Sequence, residues 1–238
     1  MSYLLNEDRK ILAAYGCSNS GTSYGTSWPE FLSGKLGYKL YRRSAPGANV
    51  GMHLEKLNYD LQNEKIDLVV LQLSSYERLT LGLAHFDNEE HLEYPSEDGN
   101  RFKNIGCYTY GCQTDDDNFR DFDIKSKDSK EIHQFMFYDI QASNWMKPFA
   151  NQQLYTFISL CKQYNKKLFI FSWFQDVEDY VLPEWRHMLD GVGFINKEAE
   201  GWFNENGIDC IPNDGHYDTN AHERLTNEFL FDPIYKYI

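Results

Sequence analysis

The sequence is short of positive charge. Lysine and arginine together number 23 against 36 aspartates and glutamates, a formal net charge of -13. Gripping nucleic-acid phosphates requires basic patches, so nucleic acid is excluded as the main partner. An anionic membrane surface is disfavoured for the same reason, and the acidic balance is read as solubility. Long apolar runs are missing too: none approaches the roughly 20 residues that a spanning helix needs. The opening "MSYLLNEDRKILAAYG" has no basic start followed by an apolar core, being broken by Glu7, Asp8, Arg9 and Lys10. No signal peptide and no membrane partner are expected, and the expected location is cytoplasmic. Cysteine is sparse and odd in number, with Cys17, Cys107, Cys112, Cys161 and Cys210 widely scattered. That fits reduced thiols better than a disulfide framework. "CYTYGC" lacks a second Cys/His pair at zinc spacing, and neither a metal nor an organic cofactor is expected. There is no internal repeat and no low-complexity linker.

What remains is rich in core-forming residues: 42% hydrophobic and 16% aromatic over 238 residues. Short apolar segments alternate with amphipathic ones. "KILAAYG" (Lys10–Gly16), "YKLYRRS" (Tyr38–Ser44), "IDLVVLQLSS" (Ile66–Ser75), "KKLFIFSWF" (Lys166–Phe174) and "IDCIP" (Ile208–Pro212) read as strands. Helices are expected over Ser27–Gly37, Asn49–Glu64, Phe149–Asn165, Lys197–Gly207 and Asn220–Phe231. For the first of these, Ser27 supplies the cap, Pro29 suits the first turn and Gly37 ends it. Such alternation predicts an α/β fold: a flavodoxin-like α/β/α sandwich on a parallel sheet of about five strands. Open sheets of this kind place their sites at the carboxyl ends of the strands.

The stretch from Leu79 to Asn144 does not alternate and is read as a long insertion after the third strand, within one domain spanning 1–238. Aromatics interleave its charges. The acidic run Asp115–Asp117 lacks the spacing of a calcium loop and is read as a solvated face. His85, His91 and His133 are read as surface residues, and Trp28, Trp173 and Trp185 as core.

"AAYGCSNSGTSYGTSWPEFLSGKLG" ends its apolar run on a glycine, with Ser18 just past the strand. A serine hydroxyl attacks only when a base takes its proton and donors hold the oxyanion. "NDGHYDTNAHERL", after the last expected strand, offers Asp214 and His216 one residue apart in a turn at the same rim. The plain alternative is a polar turn with an incidental histidine. Cys17 is a competing nucleophile. Adjacent residues at a strand end face opposite ways, so Ser18 is preferred.

"GCSNS", "SAPGAN" after the second strand, and "DGH" ahead of the final helix together resemble the SGNH hydrolases, also called GDSL esterases. The resemblance covers Lys10–Arg78 and Phe149–Ile238. It implies Ser18 as nucleophile, with Cys17 where the family usually has aspartate. It implies His216 as base and Asp214 as its acid; the commoner D-x-x-H spacing would fall on Asn213. It implies an oxyanion hole from the N–H groups of Ser18 and Gly47. "LQLSSYER" stands where the family has G-x-N-D, so the asparagine donor is missing and Ser75, or else Ser74 or Tyr76, is expected to replace it. Tyr76 and Arg78 would face substrate, although Arg78 paired with an acid of the insertion is preferred. His222 is read as packing. The implied activity is hydrolysis of an acyl ester by a Ser-His-Asp triad, on a small-molecule or glycan ester such as an O-acetylated carbohydrate. Acyl transfer by the same triad, and a binding or structural protein on the same fold, are the alternatives.

Overall fold

A computed structural model describes residues 9–21, 25–44, 48–75, 79–82, 107–110, 146–212 and 214–238. Its centre is a five-stranded parallel sheet. In chain order the elements are β1 (Ile11–Gly16), α1 (Trp28–Leu36), β2 (Lys39–Ser44), α2 (Val50–Asn63), β3 (Ile66–Leu73), β4 (Leu79–Gly82) and β5 (Cys107–Tyr110). There follow α3 (Met146–Gln163), β6 (Lys167–Ser172), β7 (Gly193–Phe194), α4 (Ala199–Glu205) and α5 (Thr219–Arg224). A wide π-type turn over Leu225–Leu230 joins α5 to α6 (Phe231–Tyr237). The strand order is β2-β1-β3-β6-β7, the flavodoxin-like order expected. β4 and β5 form a separate antiparallel pair inside the insertion. Among the described residues no helix is long and apolar enough to cross a membrane.

The sheet is apolar on both faces because parallel strands are covered on both sides. Val69, Leu71 and Leu73 of β3 join Ala13 and Tyr15 of β1 beneath α2 and α3, packing on Leu57, Leu154 and Phe157. Leu68 and Val70 join Leu12, Ala14, Phe169 and Phe171 on the opposite face, under Trp28, Phe203 and Leu225. Burial of each large side chain contributes about 1.5–3 kcal/mol, so these two layers carry the sheet. α1 begins as read from the sequence. Ser27 and Glu30 form a reciprocal capping box, Pro29 lies in the first turn, and the helix closes at Gly37.

One strand is not where the sequence pattern placed it. The fifth strand is Gly193–Phe194, paired with Phe169 and Ile170, and Ile208–Pro212 is not a strand. Ile208 and Ile211 stay only partly buried, Ile208 packing against the core layer that holds Trp28 and Phe203 without joining the sheet. The Ile211 N–H instead donates to the His216 carbonyl at 2.7 Å, which makes this segment one arm of the turn that carries Asp214 and His216.

A buried ionic cluster lies beneath the β1–β2 edge. Asp60 on α2, fully buried, accepts Arg43 Nε at 2.8 Å, Arg43 Nη2 at 2.7 Å and the Tyr15 hydroxyl at 2.6 Å. Burial, and then the Asp60 charge, raise the Tyr15 phenol well above its ordinary pKa, so it stays a donor. A buried pair adds little net stability while intact, but losing one partner strands the other charge. Asp60→Ala is expected to cost about 3–5 kcal/mol in urea unfolding at neutral pH.

Candidate active site

β1 stops at Gly16, and the chain enters a single 3₁₀ turn over Ser18–Ser20. The Ser20 N–H donates to the Cys17 carbonyl at 2.9 Å, and the Gly21 N–H to that of Ser18 at 3.0 Å. Cys17 is fully buried while Ser18 is half-exposed, so the two do face opposite ways. The thiol points inward, 3.4 Å from Gln72 Nε2. The termination on glycine has a steric cause. A Cβ on Gly16 would lie 2.1 Å from Ser20 Oγ and 2.6 Å from Gln72 Oε1.

The other arm is the turn after Ile211. The Asp214 N–H donates to the Ile211 carbonyl at 3.1 Å, and Gly215 adopts φ +75°, a backbone state that suits glycine between the two functional residues. Tyr217 anchors the turn from beneath. Its ring stacks on Phe203 with centroids 4.0 Å apart and lies against Trp173 at 5.9 Å. Asp218 then caps α5, accepting the Ala221 N–H at 2.8 Å.

These two arms meet. Ser18 Oγ lies 2.8 Å from His216 Nε2, across 198 residues of sequence. His216 Nδ1 is hydrogen-bonded to Asp214 Oδ1. A carboxylate at Nδ1 selects the tautomer that carries its proton there, leaving Nε2 to accept from the serine hydroxyl. The side chains of His216 and Asp214 are 20% and 24% exposed, open enough to be reached yet held on one side.

At the neighbouring strand end, buried Ser74 donates its hydroxyl to the Ala48 carbonyl at 2.8 Å, tying β3 to the segment that leads into α2. Ser75 follows it, half-buried. Gly47, Tyr76, Arg78 and Asn213 lie outside the described residues, as do His85, His91, His133, Asp115–Asp117, Cys112 and the side chain of Cys107. Trp28 and Trp173 are fully buried, and Trp185 packs edge-on against Tyr155 at 5.6 Å. Cys17, Cys161 and Cys210 are free thiols. Among the described residues no group of three or more His, Cys, Asp or Glu side chains could hold a metal ion.

His222 lies buried with its ring 6.0 Å from Trp173. Burial lowers its pKa to about 4, with Asp218 opposing and the His216 charge assisting. His53 on α2 is pushed down to about 3, first by burial and then by Lys56. Sequence reading passed over Gln72, whose buried amide joins the Ser18 turn to β3. Its signal was there, a lone amide within the apolar run "DLVVLQL".

No protein-family model matches the chain, and no curated relative does either. Among solved structures, TesA superposes with a TM-score of 0.51 and 13% identity, over 96% of this chain and 97% of that one. A catalytic mutant of Axe2, an acetylxylan esterase from Geobacillus stearothermophilus, gives a TM-score of 0.49 and 12% identity over 97% and 96%. AlinE4, an SGNH-hydrolase family esterase, gives 0.37 and 10% over 78% and 69%. At 13% identity the likeness to TesA is one of architecture. The five-stranded parallel sheet between helices is the architecture expected from the sequence, and it is shared with TesA.

The packing at the Ser18 turn has one consequence for stability, and the buried histidines have another. Gly16→Ala forces its methyl group into Ser20 and Gln72 and is expected to cost about 1–3 kcal/mol in urea unfolding. The second concerns pH. His222 and His53 have folded pKa values below the unfolded value, so the unfolded chain binds more protons at acid pH. Their stabilising contribution is full above about pH 6.5 and is lost as pH falls towards 4 for His222 and towards 3 for His53, each adding a slope of up to about 1.4 kcal/mol per pH unit. His222→Phe is therefore expected to flatten the acid limb of a stability–pH curve by about that slope.

Proposed function

We propose that this chain is a serine esterase acting on small acyl esters through Ser18, His216 and Asp214. The observation that carries the reading is the hydrogen-bonded series from Ser18 Oγ through His216 to Asp214 at the carboxyl edge of a parallel sheet. His216 Nε2 takes the Ser18 proton as the hydroxyl attacks the ester carbonyl. Asp214 orients the ring and balances the imidazolium. The Ser18 and Gly47 N–H groups hold the oxyanion, with the Ser75 hydroxyl in place of an asparagine donor; one such fixed donor is typically worth about 10²–10³ in rate. His216 returns the proton to the leaving alcohol, then activates the water that cleaves the acyl-enzyme. Cys17, sealed behind the turn, takes no part.

The favoured substrate class is an O-acetyl ester of a carbohydrate. Its support is the aromatic-rich composition of the stretch that follows β3 in the sequence. Ser18→Ala is expected to lower p-nitrophenyl acetate turnover at least about 10³-fold and to abolish fluorophosphonate labelling, with the urea midpoint unchanged. Equal turnover by wild type and Ser18→Ala would leave a binding protein on this fold. Product masses with a sugar acceptor present separate hydrolysis from acyl transfer.

A further inference from the structure

The Gln72 side chain is 2% exposed on the central strand, at a place where its face of β3 is otherwise apolar. A buried amide without partners costs about 1–3 kcal/mol, and this one is fully partnered. Its oxygen accepts the Cys17 N–H at 3.1 Å and the Ser20 hydroxyl at 2.7 Å. Its nitrogen donates to the Leu73 carbonyl at 3.2 Å and meets Cys17 Sγ at 3.4 Å. Ser20 Oγ also accepts Trp28 Nε1 at 2.8 Å, from a fully buried ring. The two bonds to the amide oxygen land on the residue before Ser18 and on the residue two after it. The nucleophile's turn is thus gripped at both ends by one rigid strand, and no bond goes to Ser18 itself.

We propose that Gln72 is a positioning residue for the reaction, holding the Ser18 hydroxyl at hydrogen-bonding distance from His216 through Cys17 and Ser20. This rests on the esterase reading above. A neutral amide meets the site's demand at every working pH. It accepts twice on one side and donates to Leu73 on the other, where leucine does neither and a carboxylate cannot donate. The absent Cβ of Gly16 is part of the same device, since a methyl group there would collide with both oxygens. Because Gln72 acts on the geometry of attack, its loss is felt in kcat rather than KM. A displacement of about 1 Å at a reacting atom is worth about 10²-fold.

The test uses the full chain with p-nitrophenyl acetate. Gln72→Leu is expected to lower kcat about 10–100-fold with KM within about threefold. Ser20→Ala is expected to lower kcat as well, and the double variant to be no worse than the poorer single one, because both act through the same bond. Gln72→Glu adds a readout that simple loss of packing would not produce. As the neutral acid it keeps a donor and an acceptor; on losing its proton it loses the donor to Leu73. Its kcat is therefore expected to fall as pH rises, on a limb that wild type lacks. If Gln72→Leu fails to fold, Ser20→Ala and Gln72→Glu carry the test. Folded variants with kcat within twofold of wild type, additive losses, or a Gln72→Glu profile parallel to wild type would overturn the proposal. If turnover does not depend on Ser18, the esterase reading falls and takes this inference with it. Ser18-dependent turnover indifferent to Gln72 removes this inference alone.

Discussion

Ser18 and His216 are separated by 198 residues of chain and 2.8 Å of space. A contact of that kind tolerates little drift on either side, and neither partner controls it directly. Both sit on turns, which are the least constrained parts of a fold. Each turn is fastened to something stiffer by residues next to the functional one. On the serine side, Cys17 and Ser20 are bound to the central strand. On the histidine side, Tyr217 is wedged among Phe203 and Trp173, and Asp218 starts a helix. The sheet supplies the common reference. β1 and β3 are neighbours, so the end of one grips the turn that leaves the other.

Two sets of buried titratable groups differ in how they are accommodated. Asp60, Arg43 and Tyr15 form a matched ionic set in which the charges satisfy one another. His53 and His222 are kept neutral by burial. A neutral imidazole behind the site adds volume without adding a competing charge, which leaves Asp214 as the charged group hydrogen-bonded to His216. The arrangement costs stability in acid, where both buried rings must accept protons on unfolding.

Much of this was legible in the sequence, and the exceptions have physical causes. β1, β3 and β6 announced themselves as apolar runs because both their faces are buried. α1 was legible at both ends from Ser27, Pro29 and Gly37. Strand β7 was not: two residues cannot show a period, and its pairing with Phe169 and Ile170 is entirely tertiary. Ile208–Pro212 was misread because its apolar residues alternate as in a strand although neither isoleucine is fully buried. The π-type turn at Leu225–Leu230 left no trace either, since its apolar spacing passes for ordinary helix. At the site, Ser18 was legible from its place at the end of β1; Asp214 and His216 were legible from their close spacing in a polar turn, although the segment before that turn is not a strand. Gln72 was overlooked because one amide in an apolar strand is invisible to a search for nucleophiles and bases. Its meaning appears only with Ser20 and Gly16 beside it.

The departure at Cys17 becomes understandable on the same grounds. The resemblance places an aspartate before the nucleophile, and this chain has a thiol. What the turn takes from that position is its backbone N–H, which donates to Gln72 whatever the side chain. The side chain itself is fully enclosed beside a neutral amide. A carboxylate there would be desolvated with no cation among the contacts described, at a cost a weakly polar thiol avoids. The amide at Gln72 and the thiol at Cys17 are therefore mutually consistent choices. Each is neutral, and together they let the serine turn close against the sheet without burying a charge.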